Sequence, residues 1–323
     1  MAKLQDCPFQ QGKVAQQKVI DENGLLFPMV LLPQEVSDEG NSLESFLHTI
    51  QSNREWINDH LKKVGALLFR GFPLKSASDF NAVMEAFGWD EKPYLGAASR
   101  TRVVGRVFTA NEAPLEQPIK FHHEMAMFED FPTKLAFYCE IAPPEGGQTA
   151  ILLSHKITER MGEKHPEFVS KLEKEGLIYS TMCPAEDDPN NFLRGWQTLY
   201  NTKDKEEAER KAIDSGLKMS KVSWDGNKMI FQLEPIASIR IVDGDKKAWF
   251  NLLPLSGLEH APSLGDGSVI PKEVVESCLQ IVEEEAIEVK WEVGDVVVLD
   301  NRFIMHARRP SKPPRRILAS FCN

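Results

Sequence analysis

The sequence predicts a mostly β protein with covering helices (α+β), folded as an antiparallel barrel or sandwich. Short runs of strand-forming residues, separated by turn residues, recur from about residue 101 to the end of the chain. Helical periodicity is limited to a few segments that come before and between these runs. The 323 residues, of which 42% are hydrophobic, are enough to bury a large core. We therefore expect one domain over residues 1–323, with a helical insertion at about 155–235.

The first hundred residues combine helices with one buried strand. Apolar residues at helical spacing predict a helix over 42–63, and the segment 65–71 is a short apolar strand bounded by glycines. Ser76 and Asp79 form the pattern of a capping box. A second helix is therefore expected to begin there and to end at Gly88.

The rest of the chain alternates strands with two helical regions. Residues 155–216 are polar and helical, and apolar residues on one side of 271–286 predict an amphipathic helix. The sequence predicts strands at 102–108, 134–141, 148–153, 228–233, 236–242, 248–253, 288–291, 295–299, 303–307 and 315–321. Many short strands with few helices are typical of an antiparallel sandwich or barrel.

Composition and charge exclude several classes of partner. The formal net charge is −10 and lysine and arginine form no basic stripe, which argues against nucleic acid and anionic membranes. No apolar run is long enough to span a bilayer, and the N-terminal residues lack the apolar core of a secretory signal. Five widely spaced cysteines without a Cys-x-x-Cys pair are typical of reduced thiols in a cytoplasmic protein. A small-molecule substrate is the partner we expect, and the oligomeric state is left open.

Two short motifs, far apart in the chain, supply metal-binding side chains. The segment 294–308 is a buried strand, a turn and a second strand that carries His306. Upstream, His122 and Glu124 form a His-x-Glu pair. Two imidazoles and one carboxylate are the donor set that holds Fe(II) and leaves three coordination positions open. The same donors also suit a hydrolytic zinc site, so a zinc-dependent hydrolase is an alternative.

The His-x-acid pattern is weak support by itself. The composition predicts about one such pair by chance, and the chain has a second one, His165-Pro166-Glu167, where helix capping explains the residues. Strand alternation places His122 and Glu124 on one face with His123 turned away, unless the backbone is bulged. Taken alone, His306 also fits a core histidine bonded to a backbone carbonyl.

A pair of arginines follows His306 by one hairpin. Arg315 and Arg316 are adjacent in a predicted strand, so one side chain faces inward and the other outward. A buried arginine needs an anionic partner, and a planar guanidinium grips a carboxylate with two parallel bonds. A dicarboxylate co-substrate held near the metal would be such a partner.

In their order and spacing, these motifs resemble the taurine-dioxygenase superfamily of Fe(II)/2-oxoglutarate-dependent oxygenases, and more closely its clavaminate synthase-like members. The resemblance covers most of the chain. It is carried by Gly65-Ala66-Leu67-Leu68-Phe69-Arg70-Gly71-Phe72, Asn111-Glu112-Ala113-Pro114, Phe121-His122-His123-Glu124, Pro144-Glu145-Gly146-Gly147-Gln148-Thr149, Trp249-Phe250-Asn251, Gly294-Asp295, His306 and Arg315-Arg316-Ile317-Leu318.

The resemblance implies a double-stranded β-helix (jelly-roll) core with helices packed outside. It also implies that His122, Glu124 and His306 bind Fe(2+), and that Thr149 and Arg316 bind the distal carboxylate of 2-oxoglutarate. O2 is the other co-substrate in that family, and ascorbate serves as an auxiliary reductant. We expect an unidentified small molecule to be hydroxylated with release of succinate and CO2.

Two positions depart from the family pattern. Glu124 replaces the aspartate of many relatives, which changes the reach of the carboxylate but keeps its charge. Ser320 stands where taurine-oxidising relatives have an arginine, which argues against taurine as the substrate. It also leaves Arg316, rather than Arg315, as the expected anchor of 2-oxoglutarate. A catalytically silent jelly-roll protein that uses the cavity only for binding is a second alternative.

Overall fold

The computed structural model describes residues 7–34, 42–96, 98–187, 194–242, 244–258 and 261–323. The helices in these ranges are α1 (Leu43–Ser52), α2 (Arg54–Val64), α3 (Ala77–Phe87), α4 (Ser154–Lys164), α5 (Pro166–Glu175), α6 (Trp196–Leu199), α7 (Lys205–Ile213), α8 (Leu253–Ser256) and α9 (Lys272–Glu285). The strands are β1 (Gln10–Gln11), β2 (Lys18–Val19), β3 (Leu26–Phe27), β4 (Met29–Leu32), β5 (Ala66–Phe69), β6 (Arg102–Val104), β7 (Val107–Thr109), β8 (Ile119–His122), β9 (Lys134–Ile141), β10 (Thr149–Leu153), β11 (Leu177–Ile178), β12 (Ser180–Cys183), β13 (Met219–Asp225), β14 (Lys228–Leu233), β15 (Ile239–Val242), β16 (Lys246–Trp249), β17 (Ser263–Leu264), β18 (Ile287–Val289), β19 (Val296–Asp300), β20 (Ile304–Arg308) and β21 (Arg316–Cys322).

Two main sheets lie face to face. The larger has the strand order β1-β4-β5-β19-β9-β21-β7-β6, and the smaller has the order β18-β10-β20-β8. The described pairings within them are antiparallel except that between β4 and β5. The ring of Phe137 in β9 lies 5.3 Å from that of His306 in β20, measured between centroids. The sheets therefore meet at a predicted metal ligand, in the sandwich arrangement expected from the sequence.

The smaller sheet has one face for packing and one for the site. Met305 and Ala307 of β20 belong to a hydrophobic cluster with residues of α4 and α9. Ile304 of the same strand packs instead with residues of the larger sheet. Because side chains alternate along a strand, His306 shares the inner face with Ile304.

The central strands of the larger sheet are buried on both faces. Every residue of β5, and every residue from Val296 to Leu299 in β19, is 0% exposed. Helices α1, α2 and α3 pack on the outer side, and the smaller sheet faces the inner side. Burial on both faces explains why these segments are continuous apolar runs in the sequence rather than alternating ones.

The helices of the N-terminal third follow the capping residues in the sequence. Ser76 accepts a hydrogen bond from the Asp79 N–H at the start of α3, and Gly88 ends that helix with a φ of 73°. The single helix predicted over 42–63 is instead divided into α1 and α2 at Asn53. The Asn53 side chain donates to the Thr49 carbonyl at 2.8 Å, and such a local bond competes with the helical backbone.

The insertion at 155–235 is mixed rather than helical, which corrects the sequence prediction. Besides α4 to α7 it contains a three-stranded sheet with the order β12-β14-β13. Most residues of β13 are polar or partly exposed, so its strand pattern is weak in the sequence. None of the described helices has the length and hydrophobicity needed to cross a bilayer.

Gly65 joins α2 to β5 at a position where a side chain does not fit. Its φ of 85° is left-handed, and an added Cβ would lie 2.5 Å from Cδ1 of Ile304 at the start of β20. Gly24 has a similar φ of 78°, but an added Cβ there meets nothing within 4 Å. An alanine at Gly24 would therefore introduce backbone strain alone, whereas an alanine at Gly65 would introduce both strain and a steric clash.

We expect Gly65→Ala to lower the free energy of unfolding by about 2–5 kcal/mol, because about 1–2 kcal/mol of left-handed strain adds to overpacking of about 1–3 kcal/mol. The matched Gly24→Ala protein should lose only the strain. Denaturant unfolding followed by tryptophan fluorescence measures both losses. Equal losses in the two variants would contradict the steric argument.

Candidate active site

Two strands of the smaller sheet bring the predicted histidine ligands together. β8 and β20 are antiparallel neighbours in which His122 pairs with His306. Their imidazole rings lie 4.3 Å apart between centroids. Two residues that are far apart in the chain thus become direct neighbours through sheet register.

The side chain of Asn301 places Glu124 beside these histidines. Its amide oxygen accepts the Glu124 N–H at 2.9 Å, and its amide nitrogen donates to the Glu124 carbonyl at 3.0 Å. The same nitrogen donates to the Pro132 carbonyl at 2.8 Å. Asn301 is fully buried in the turn between β19 and β20. The His-x-Glu segment is therefore tied to the turn that precedes His306.

His123 faces away from the predicted metal ligands, as strand alternation predicts. Its Nδ1 donates to the Asn301 carbonyl at 2.7 Å, and its ring lies 4.4 Å from that of Phe250. Burial, which its hydrogen bonds only partly oppose, lowers the pKa of His123 to about 3. Glu124 lies two residues beyond the end of β8, and the chain then turns at Met125, whose φ of 57° is left-handed.

The donor atoms of His122, Glu124 and His306 all lie within 4.8 Å of one another. Nε2 of His306 is 3.9 Å from Oε2 of Glu124. Nδ1 of His122 donates to the Lys120 carbonyl at 2.8 Å, which leaves the lone pair of its Nε2 for a metal. We call these three residues the triad.

The environment of His306 keeps its imidazole neutral. Burial, followed by electrostatic interactions with His122 and with the guanidinium of Arg100, lowers the pKa of His306 well below its usual value. Its Nδ1 is buried without a hydrogen-bond partner among the described residues. Metal ligation needs a neutral imidazole, so the triad fits a divalent metal such as Fe(II).

A narrow cavity, here called the inner cavity, lies between the two sheets beside the triad. Three of its lining residues are arginines, and none of the acidic residues that the structure describes lines it. It is lined by Arg100, Ala110, Asn111, Ile119, His122, Phe137, Thr149, His306, Ala307, Arg308, Arg315 and Ile317. A buried positive cavity of this kind suits an anionic ligand.

Arg315 is one of the residues that line the inner cavity. Its Nε donates to the Gly147 carbonyl at 3.1 Å, and within the described ranges it forms no ion pair with a carboxylate. Burial and the neighbouring charge of Arg308 lower the pKa of Arg315 to about 10. The group is still protonated at neutral pH, so it is a partly buried cation without a carboxylate partner in the described part of the chain.

The prediction that Arg316 faces inward is wrong. Its side chain is 46% exposed and pairs with Glu140 on the outer side of the sheet. Ile317 lines the inner cavity, and Arg315 shares that face by alternation, whereas Arg316 and Ser320 fall on the opposite face. The sequence correctly predicted that the two arginine side chains lie on opposite faces of the strand, but the inward-facing one was assigned to the wrong residue.

Thr149 lines the inner cavity at a distance from the triad that matches the length of a dicarboxylate. In the pairing of β10 with β20, Thr149 is opposite Arg308, and Ile151 is opposite His306. Two residues along a strand correspond to about 7 Å, a span that a five-carbon dicarboxylate can bridge. The Thr149 Oγ1 accepts the Nε1–H of Trp291 at 3.2 Å, which leaves its own hydroxyl hydrogen free to donate.

Two further arginines of the site were not recognised in the sequence. Arg308 donates to three main-chain carbonyls of the segment 113–117, at distances of 2.6 to 3.2 Å, and so holds that segment against the cavity. Its only sequence signal is a position two residues after His306, on the same strand face. Arg100 donates from Nη2 to Oε2 of Glu124 at 3.0 Å. It precedes β6 in an irregular segment, where no periodicity marks it.

A wider cavity, the outer cavity, of about 430 Å³ also reaches the triad. It shares Arg100, Asn111, Ile119 and His122 with the inner cavity. Much of its remaining wall is apolar and includes Met125, Met127, Phe128, Leu252 and Leu255. A cavity of this size, with an apolar wall and a few polar groups, is typical of a small-molecule site.

The sequence matches the Taurine catabolism dioxygenase TauD, TfdA family over residues 31–321. It is 47% identical over 310 residues to a clavaminate synthase-like protein of Arabidopsis thaliana, and the alignment covers 92% of this chain and 93% of that protein. It is also 27% identical over 283 residues to the dapdiamide synthesis protein DdaC of Enterobacter agglomerans, with coverage of 81% and 83% respectively.

The fold is similar to that of PvcB from Pseudomonas aeruginosa. The superposition has a TM-score of 0.53 at 14% sequence identity and covers 100% of this chain and 94% of PvcB. The predicted α+β fold with a jelly-roll core is confirmed, and its described strands form facing sheets rather than a closed barrel. The family match also confirms the predicted enzyme class, a 2-oxoglutarate-dependent dioxygenase that uses Fe(II) and O2. The chain belongs to the Taurine catabolism dioxygenase TauD, TfdA family.

Proposed function

We propose that this protein hydroxylates a small molecule bound in the outer cavity, as an Fe(II)/2-oxoglutarate-dependent oxygenase. The triad would hold the iron, and Arg315 with Thr149 would hold the distal carboxylate of 2-oxoglutarate. The observation that carries the proposal is the composition of the inner cavity. It joins the two histidines of the triad to a partly buried arginine that has no carboxylate partner among the described residues.

The residues of the chain supply position and a dry environment. When bound, iron and 2-oxoglutarate activate O2 and provide the oxidising chemistry. Glu124 and the imidazoles of His122 and His306 would hold the metal, and three protein ligands would leave coordination positions for the co-substrates. Phe137 and Ile317 contribute apolar surface next to the triad and help to exclude water. Arg315 and Thr149 would orient the co-substrate from the far end of the inner cavity.

The alternatives explain less of this arrangement. A zinc hydrolase has no need for Arg315 and the Thr149 hydroxyl at the far end of the inner cavity, about 7 Å along the sheet from His306. A silent binding protein has no need for an asparagine that holds the carboxylate ligand in place. We also propose a cytoplasmic location, because all five cysteines are free thiols. Ascorbate would act as the auxiliary reductant that keeps the iron ferrous.

The first test is metal and co-substrate binding under anaerobic conditions. The wild-type protein should bind one Fe(II) per chain and develop a metal-to-ligand charge-transfer band when 2-oxoglutarate is added. His306→Ala should weaken iron binding by more than the roughly 10- to 100-fold that outer-sphere partners contribute.

The control for this test is His155→Ala, because His155 is also buried but lies on α4, outside the triad. Wild-type iron stoichiometry in the His306→Ala protein would exclude the triad as the metal site. A substrate screen that measures succinate release, with iron, 2-oxoglutarate and ascorbate present, then addresses the oxygenase activity.

The second test compares the adjacent arginines. Arg315→Lys should raise the dissociation constant of 2-oxoglutarate about ten- to a hundredfold, because lysine cannot form the paired bonds worth about 1.5–3 kcal/mol. Arg316→Lys is the matched control and should bind 2-oxoglutarate like the wild type, since its side chain is exposed. Anaerobic titration of the charge-transfer band measures both. The reverse outcome would restore the strand face predicted from the sequence.

The third test concerns the hydroxyl of Thr149. Thr149→Val keeps the shape of the side chain but removes its donor, so 2-oxoglutarate binding should weaken by about 1.5–3 kcal/mol. Thr149→Ser keeps the hydroxyl and should recover most of the affinity. The same titration applies, and identical affinities in the valine and serine variants would show that the hydroxyl does not contact the co-substrate.

A further inference from the structure

We infer that Arg100 is a second carboxylate-binding residue of the active site, placed where the inner and outer cavities meet. The inference rests on the proposed function, because the carboxylate belongs to an acid bound beside the triad. Arg100 lines both cavities. Its Nη2 donates to Oε2 of Glu124 at 3.0 Å, so it lies at the metal end of the inner cavity rather than at the Arg315 end.

The guanidinium of Arg100 is held in a fixed position. Its side chain is 5% exposed and packs against the rings of Tyr94 and Phe321, whose centroids lie 4.4 Å and 4.8 Å from its central carbon. Its Nη1 donates to the Ala110 carbonyl. Its Nε is buried without a hydrogen-bond partner in the described part of the chain. A rigid, incompletely satisfied cation is suited to binding an anion with little rearrangement.

The buried charges around the inner cavity do not balance. Arg100, Arg308 and Arg315 line this cavity, and no described acidic residue does. Glu124 lies next to the cavity and pairs with Arg100. A divalent metal held by Glu124 would be compensated by the same carboxylate that pairs with Arg100. Because uncompensated buried charge is unfavourable, the loaded site needs more than one negative charge from its ligands.

The positions of the three arginines indicate where the negatively charged groups of the ligands would bind. Arg315 serves the carboxylate at the far end, and both terminal nitrogens of Arg308 already donate to main-chain carbonyls. Arg100 is therefore the arginine available to bind a carboxylate next to the triad. In a 2-oxo acid that chelates the metal, this is the C1 carboxylate. The outer cavity provides another source of the same group, a carboxylate of the prime substrate, because Arg100 lines that cavity as well.

The experiment compares 2-oxoglutarate with 2-oxovalerate, which has the same chain length and the same metal-chelating end but lacks the distal carboxylate. Both acids are titrated into the anaerobic Fe(II) protein, and the charge-transfer band is followed. In the wild type, 2-oxoglutarate should bind more tightly. Arg315→Met should remove this preference. Arg100→Met should weaken both acids by the same factor, about tenfold or more, and keep the preference.

A second arm detects a carboxylate that comes from the prime substrate. Butyrate is added to the Fe(II) protein saturated with 2-oxoglutarate. If Arg100 binds a substrate carboxylate, butyrate shifts the band of the wild type but not of Arg100→Met, and the affinity for 2-oxoglutarate is unchanged. Equal behaviour of Arg100→Met and the wild type in both arms would overturn the inference. A wild-type protein that shows no band with 2-oxoglutarate would instead reject the proposed function.

Two further variants separate binding from folding. Arg102 pairs with Glu91 at 3.0 Å and packs against the ring of Phe108 at 4.5 Å. Its side chain is 55% exposed, so Arg102→Met removes an exposed ion pair and a ring contact outside both cavities. It should bind both acids like the wild type. Arg100→Lys keeps the positive charge and should recover part of the affinity. Loss of iron binding in both Arg100 variants would show that the residue acts only through the triad, and would also overturn the inference.

Discussion

The hydrogen bonds of one buried amide, that of Asn301, are the contact on which the rest of the site depends. They connect the turn before His306 to both backbone groups of Glu124 and to the Pro132 carbonyl. The main-chain carbonyl of Asn301 also accepts from His123, which orients that ring away from the triad. Each of these groups would be costly to bury unpaired, by about 1–3 kcal/mol, so the interaction fixes the relative position of two distant segments. Sheet pairing then needs only to bring the two histidines side by side.

Positive charge is the second property that organises the site. Three guanidinium groups line the inner cavity, and the protein satisfies them mainly with carbonyl oxygens and a single neighbouring carboxylate. This arrangement keeps the arginines oriented without neutralising them. Because the described residues leave part of this charge uncompensated, an anion bound in the inner cavity would change the electrostatic environment of the triad. An ordinary hydrophobic core would not retain three arginine side chains, of which two are buried and one is partly buried.

Strand alternation and capping residues allowed much of this structure to be predicted from the sequence. The boundaries of β9 and β14 agree with the predicted strands, because turn residues mark both ends of each run. Ser76 and Gly88 mark the ends of α3, since capping depends on nearby residues alone. The proximity of His122, Glu124 and His306 follows from the same rule, because alternation orients His122 relative to His123 and a short turn precedes His306. These are local properties, and the family motifs add their order along the chain. The role of the three triad residues as metal ligands stays a prediction.

What the sequence determined by itself was the fold class, the segments that carry the triad and the pairing of opposite faces at residues 315 and 316. Only the tertiary structure decided that Arg315, and not Arg316, faces the inner cavity. Alternation fixes the relative orientation of neighbours, but the absolute face depends on which sheet lies opposite, and distant strands supply that sheet. The tertiary structure also decided the roles of Arg100 and Asn301. Their partners lie 24 and 177 residues away along the chain, and no local spacing encodes a contact of that kind.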